Sequence, residues 1–257
     1  GTSRYILGSA NGNAVAIRGG SGNVNVPNTL TNFDTMTTAS RIDGMTVTGG
    51  VGAEAVSNYG HMIGSVDLTS GANSFVNQAY RSVQNPTLYA GVFDSGPTIY
   101  LGTGNLMTNN GLLSPGAFNR VQTTNLTGDY LQTASGSCGS FGNPTSSCGY
   151  LGVDVDLDPT ADRLNVSGAA NLSGAIVVNL MNPGTAKPGV FNNTIISAGG
   201  GVTTNNLTIQ AQPSAVMTYG LSLANGSDLI LNYQTNFAPF GMTYNQNAVG
   251  NAVNAIQ

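Results

Sequence analysis

Short apolar pairs split by a single residue mark the first half of this chain: Val15/Ile17, Val24/Val26, Met45/Val47, Val66/Leu68 and Ile99/Leu101. Alternate residues of a strand point to the same face, so both members of a pair can turn inward while the residue between them faces out. The pairs that begin at Val24, Met45 and Val66 recur every 21 residues, a spacing that suits one coil of a parallel β-helix. One coil cannot bury its own inward side chains. Stacked coils can, because they share a continuous core and pair every interior strand. Residues 1–115 are therefore read as β-solenoid coils.

Composition agrees with strands and corners. The chain is rich in Gly, Asn, Thr and Ser, and only 7% of its 257 residues are charged, against roughly 25% in an ordinary soluble domain. Gly and Asn serve turns, whereas Thr, Val, Ile and Tyr suit pleated surfaces. A hydrophobic fraction of 40% with a net charge of −4 points to a folded protein, not a disordered one.

Residues 116–235 change character. Asp154, Asp156 and Asp158 alternate with Val153, Val155 and Leu157, which reads as a strand with one wet and one apolar face. Ile176, Val178 and Leu180 repeat the alternation, as do Leu207 and Ile209. Tyr219, Leu221 and Leu223 precede Asn225-Gly226, and Leu229, Leu231 and Tyr233 follow it: a hairpin signal. This region is expected to cap the C-terminal end of the solenoid, covering core and strand edges that would otherwise stay open. In residues 236–257, Thr243 can cap a helix, and Val249, Val253 and Ile256 share one helical face.

Seven basic residues scattered through the chain offer a nucleic-acid backbone no patch to grip. No run approaches the ~20 apolar residues that span a bilayer as a helix, so no membrane insertion by this segment is expected. No basic stretch followed by an apolar one opens the chain, which places any signal peptide upstream or already removed.

Three stretches carry a resemblance to a known family. They are Gly111-Leu112-Leu113-Ser114-Pro115-Gly116, Thr124-Asn125-Leu126-Thr127-Gly128-Asp129-Tyr130, and Asp162-Arg163-Leu164-Asn165-Val166-Ser167-Gly168-Ala169-Ala170-Asn171-Leu172-Ser173-Gly174. In this order they resemble the C-terminal passenger region of autotransporters, the type V secretion proteins. Gly71-Ala72-Asn73-Ser74-Phe75-Val76-Asn77 is similar to their solenoid repeats. Asn236-Phe237-Ala238-Pro239-Phe240-Gly241-Met242, with Asn245-Gln246, is similar to the linker that leads into the translocator barrel. The resemblance covers about residues 60–257.

The family implies a right-handed parallel β-helix with a C-terminal hairpin, or autochaperone, cap and a short terminal helix. It implies a non-catalytic structural or adhesive passenger, exported through its own C-terminal β-barrel and folded at the cell surface. No barrel sequence follows Gln257. Either the barrel lies beyond this sequence, or the passenger is released there by cleavage. Released passengers that join into an extracellular filament are the alternative, since low charge and an uncapped first coil leave edges for self-association.

The candidate sites are few. Cys138 and Cys148 stand in a Gly/Ser/Asn/Pro stretch and are read as a disulfide closing a small loop, which implies an oxidising compartment. The other reading, half a metal or redox site, lacks further Cys, and His61 is remote in sequence. Asp154, Asp156 and Asp158, with Asp162 nearby, can offer Ca²⁺ their oxygens. Arg163 offsets part of that charge, and a solvated strand face is the plainer reading. His61 as a general base has no nucleophile beside it. Asp67 and Asp94 are the acids a polysaccharide-acting hydrolase would have to bring together. Gly19-Gly20-Ser21-Gly22 and Gly199-Gly200-Gly201 lack the lysine of a phosphate loop and read as corners. Tyr59, Tyr80, Tyr89 and Tyr100 form either an adhesive surface or a stack along the solenoid. No cofactor is expected.

Overall fold

A computed structural model of the chain describes residues 5–8, 14–16, 27–81, 88–139, 148–157 and 160–256. Ile17, Val24, Val26, the glycine run at 19–22 and Asp158 lie outside the described residues. The fold is all-β, with one α-helix among the described residues, Tyr244–Ile256, near the end of the chain.

The strands form two main sheets. The smaller has seven, all parallel: Asn28–Asn32, Glu54–Asn58, Ser74–Asn77, Leu106–Asn109, Asp129–Gln132, Ala170–Leu172 and Val202–Thr204. Each pairs with the next in that order. The larger sheet has sixteen strands. Two of them, His61–Asp67 and Val92–Tyr100, change partners midway. Val92 pairs with Leu112, whereas Thr98 pairs with Asn125, and the register shifts between Ser95 and Ile99. Changing partners there lets the larger sheet wrap around the core, with the smaller sheet on the remaining side.

All these elements feed one apolar cluster. Met62, Phe93, Leu113 and Leu151 come from one stretch of the large sheet, Val66, Ile99 and Leu126 from the other, and Val56, Phe75 and Met107 from the small sheet. Phe75 and Phe93 stack across the gap between the sheets with ring centroids 4.9 Å apart. Each fully buried side chain of this size contributes about 1.5–3 kcal/mol, so the column supplies the main driving force. The core runs across the 115/116 position, since Leu113 and Leu126 share it.

The expected right-handed parallel β-helix with an appended cap is corrected by this topology. The large sheet is mixed. Antiparallel pairs link Gly189–Ala198 to Asp228–Thr235, Met217–Ala224 to Asp228–Thr235, and Tyr150–Asp156 to Thr160–Ala161, in the same sheet as the parallel pairs. The 21-residue spacing does not set the register either. Val47, not Met45, lies opposite Val66, with a shift between Met45 and Val47. Apolar alternation is so common in this chain that pairs fall into near-regular spacing without being structurally equivalent.

A row of buried amides sets the register instead. The Asn32 amide donates to Asn58 Oδ1 at 2.8 Å, Asn58 to Asn77 Oδ1 at 2.9 Å, and Asn77 to Asn109 Oδ1 at 2.9 Å. Asn109 continues to Gln132 Oε1 at 3.4 Å. The sequence separations along this row are 26, 19, 32 and 23, so no fixed period exists. Every member is buried. An amide both donates and accepts, so each side chain satisfies its neighbour and leaves little unpaired polarity inside.

Sequence-level turn signals hold at the C-terminal end. Asn225 and Gly226 both take positive φ, 54° and 70°, and with Ser227 form the three-residue loop that joins Met217–Ala224 to Asp228–Thr235 as a hairpin. At the helix start, the Gln246 backbone nitrogen donates to Thr243 Oγ1 at 3.4 Å. The Thr243 nitrogen donates back to Gln246 Oε1 at 2.9 Å, completing a reciprocal cap.

Candidate functional site

The amide row turns one corner of the molecule, and that corner carries its most distinctive surface. After each row residue the backbone makes the same bend. Gln78 N donates to Asn58 O, Asn110 N to Asn77 O, Thr133 N to Asn109 O and Ser173 N to Gln132 O. A glycine completes the bend at Gly60, Gly91, Gly111, Gly149 and Gly174, because a Cβ there would come within 2.2–2.3 Å of a backbone oxygen of the preceding layer. In two layers the glycine does not follow at once. Between Gln78 and Gly91 the chain leaves as a hairpin, Ala79–Arg81 paired with Leu88–Ala90. Between Thr133 and Gly149 it leaves as the cysteine loop. Both excursions are pinched at the base by one bond, Gly91 N to Gln78 O at 2.6 Å and Gly149 N to Thr133 O at 2.7 Å. One layer, Asn109-Asn110-Gly111, separates them.

Cys138 and Cys148 are joined as a disulfide, as the sequence predicts. A bridge ten residues apart in sequence constrains a loop with little core of its own. The loop is also tied to the body. Tyr150 Oη donates to Gly139 O at 3.2 Å, and Gln210 Nε2 donates to the same oxygen at 2.8 Å. Below it, Cys148 and Tyr150 pack with Leu112, Ala175 and Val177 in a second, smaller apolar cluster. On one side the loop walls a cleft of about 490 Å³ whose floor is the next two bends, Ser173-Gly174 and Asn205 to Thr208. A second hollow of about 350 Å³, lined by Phe118, Val177, Asn179 and Gln210 among others, lies nearby.

The same edge presents aromatic groups at its other end. Phe33 and Tyr59, the residues that follow Asn32 and Asn58, stack with centroids 5.1 Å apart, and Phe33 is 66% exposed. Tyr80 and Tyr89 oppose each other in the hairpin. Of the four tyrosines singled out in the sequence, three thus sit along this edge. Tyr100 lies instead on the large sheet, opposite Asp67.

The acidic residues behave differently from the expected wet strand face. Asp154 is fully buried on strand Tyr150–Asp156, and Asp162 is buried beside it. The reason is the loop 116–122, which folds over that face and brings its amides to the acids. Arg120 N donates to Asp154 Oδ2 at 2.7 Å, and Asn179 Nδ2 donates to Asp154 Oδ1 at 2.6 Å. Gln122 N donates to Asp162 Oδ1 at 2.7 Å, and Asp154 N to Asp162 Oδ2 at 2.9 Å. Burial raises the pKa of both carboxyls, for Asp162 up to about 8, although these N–H donors pull the other way. Asp156 is partly exposed and meets the Asn182 amide at 3.3 Å. Among the described residues, no three acidic, Cys or His side chains gather as a metal would require.

His61 Nε2 and Asp94 Oδ2 lie 2.7 Å apart at the foot of the hairpin. Asp94 pairs with Ile63 and Asp67 with Tyr100, so the two acids stand at opposite ends of the strand pairing and do not face a common cleft. Asp67 accepts from Thr69 N at 2.8 Å. Arg120 reaches back across 77 residues to Asp43 in an exposed ion pair, whose hydrogen bond lowers the pKa of Asp43. Gly199-Gly200-Gly201 is a bend: a Cβ at Gly200 would lie 2.7 Å from the Ala169 nitrogen.

The residues that organise this edge, Asn32, Asn58, Asn77, Asn109 and Gln132, escape a reading based on apolar periodicity. A signal for them was present as Asn-x-Gly at 58–60 and 109–111. The excursions hide the same pattern after Asn77 and Gln132 by moving the glycine far from its amide, and after Asn32 the corresponding position is Asp34. No protein-family model matches the chain, and a search of curated proteins finds no match.

Proposed function

We propose that this chain is a non-catalytic, surface-exposed structural or adhesive passenger of the autotransporter kind that its sequence resembles. The observation that carries the reading is the single edge on which a stacked aromatic pair, a hairpin and a disulfide-closed loop emerge from one rigid row of amides. Rigid elements that carry protruding loops are a general design for recognition. The buried carboxyls of Asp154 and Asp162, in contrast, are engaged by backbone amides and hold the fold. A disulfide fits an oxidising compartment outside the cytoplasm. On this reading the export partner is the protein's own C-terminal β-barrel.

Protease treatment of intact cells that express the native gene, followed by an adherence assay, tests it. The expected result is loss of the chain from whole cells and loss of adherence with it. A chain protected until the outer membrane is opened would overturn the reading.

A second reading, lateral assembly into extracellular filaments, has one observation in its favour. Strand Met217–Ala224 ends the large sheet and, among the described residues, pairs only with Asp228–Thr235. An eight-residue edge of this kind is a template for another chain. Negative staining of shed material would reveal long regular fibres if it is correct.

A further inference from the structure

We infer that the cleft beside the disulfide loop binds a short neutral oligosaccharide. The inference rests on the adhesive part of the reading above and names its ligand class. At about 490 Å³ the cleft falls within the roughly 300–1,000 Å³ range of small-molecule sites. Its chemistry is what narrows the ligand. Ser137, Ser173, Asn205, Asn206 and Thr208 line it with hydroxyl and amide groups. The Ser173 hydroxyl donates to Gln132 O at 2.8 Å and the Thr208 hydroxyl to Gly174 O at 3.0 Å. With their protons engaged, both oxygens are left to act as acceptors. The side-chain amides of Asn205 and Asn206 are exposed and make no hydrogen bond among the described residues, so they supply donors as well as acceptors. A sugar hydroxyl donates and accepts at one atom and fits such a mixed lining.

Charge excludes the other hydrophilic ligands. From Thr133 to Tyr150 the sequence has no charged residue, and between Arg163 and Asp228 it has only Lys187. An anionic ligand, a sulfated or sialylated glycan included, would find no cation among the cleft's residues, and a cationic one no carboxylate. An apolar ligand or peptide side chain is better served elsewhere, in the hollow between Phe237, Met242, Val249 and Val253. The disulfide gives the wall its shape, and the amide row fixes the floor, so the ligand meets a preformed surface.

The test is a panel of neutral and acidic oligosaccharides screened against the purified, disulfide-intact chain. Titration follows for the wild type and for the double variant Asn205→Ala, Asn206→Gly. Glycine suits position 206, where φ is 52°. Both side chains are exposed, so the variant should keep the wild-type melting curve. The expected result is saturable binding of at least one neutral oligosaccharide, weakened at least about tenfold in the variant by the loss of its amide hydrogen bonds. Binding of no neutral sugar would overturn the inference. So would equal affinity in the variant, or a preference for acidic glycans that fades steeply with salt. Cells separate this from the broader reading. Adherence that persists in the variant sinks the cleft and spares the adhesive passenger. A variant that loses sugar binding, in a chain never displayed at the surface, does the reverse.

Discussion

The corner row and the loop 116–122 solve the same problem with opposite chemistry. Each must hold an irregular stretch of backbone against a packed core by burying polar side chains. Along Asn32, Asn58, Asn77, Asn109 and Gln132 the buried groups are neutral amides that bond to one another and to backbone carbonyls, such as Val92 O, Leu112 O and Tyr150 O. Beneath 116–122 they are the carboxyls of Asp154 and Asp162, which accept backbone N–H donors. Amides satisfy both carbonyls and N–H groups without charge, so the row can be extended layer after layer. Carboxylates can only accept, carry charge into a desolvated site and must give up a proton to do so. The row should therefore be strong and indifferent to pH, and the loop weaker and sensitive to it.

The largest effect should come from breaking the row. Asn109→Ala removes one of the two acceptors of Asn77 Nδ2, which keeps only Leu112 O, and takes a side-chain donor away from Tyr150 O in the buried row. Urea denaturation should register a loss of about 3 kcal/mol or more. A loss under about 1 kcal/mol would mean that the row decorates the core without holding it.

Replacing both cysteines by serine should have a smaller effect, about 2–3 kcal/mol, because the closed loop is short. Hydrogen exchange should localise that loss to 134–148 and leave strand Leu106–Asn109 protected. Loosening that spreads into the row would contradict an independent excursion.

The acid-held loop is tested by pH. Asp162 has a folded-state pKa of about 8, against an ordinary value near 3.8. Between these values the unfolded chain has shed the proton and the folded chain retains it, so the unfolded state binds fewer protons. Stability from this group is then complete below about pH 4 and declines as pH rises towards 8. Asp154, raised in the same direction, adds to the trend. Melting temperatures between pH 4 and 9 should fall for the wild type. Asp162→Asn should flatten that slope while costing about 1–2 kcal/mol at low pH, because its amide nitrogen cannot accept from a backbone N–H. A slope unchanged in this variant would assign the pH dependence to other groups.

The hairpin turn provides the smallest effect. Gly226→Ala places a side chain at a φ of 70° with no atom nearby to clash, so only backbone strain is added. About 1 kcal/mol is expected from thermal melts.

Local rules read some of this molecule well. Asn225-Gly226 needs only its two neighbours to turn, Thr243 and Gln246 cap a helix within one turn, and Cys138 and Cys148 sit close enough along the chain to meet. Their partners lie within ten residues, so the signal and the structure share one stretch of sequence. Asp154 shows where that fails. Alternation with Val153 and Val155 correctly predicts its strand, but its exposure is decided by Arg120 and Asn179, which sequence order places far away.

All-β character, the corners, the uncharged surface and the disulfide follow from residue types that act through short-range sterics and solvation. The partner of each strand does not. Its register depends on which amide meets which across gaps of 19 to 32 residues, and on where a loop may leave without disturbing the bend. Many alignments of so repetitive a chain bury similar amounts of hydrocarbon. Only the assembled core, in which every buried amide must find its complement at once, selects one of them, and with it the edge on which the two loops and the cleft come together.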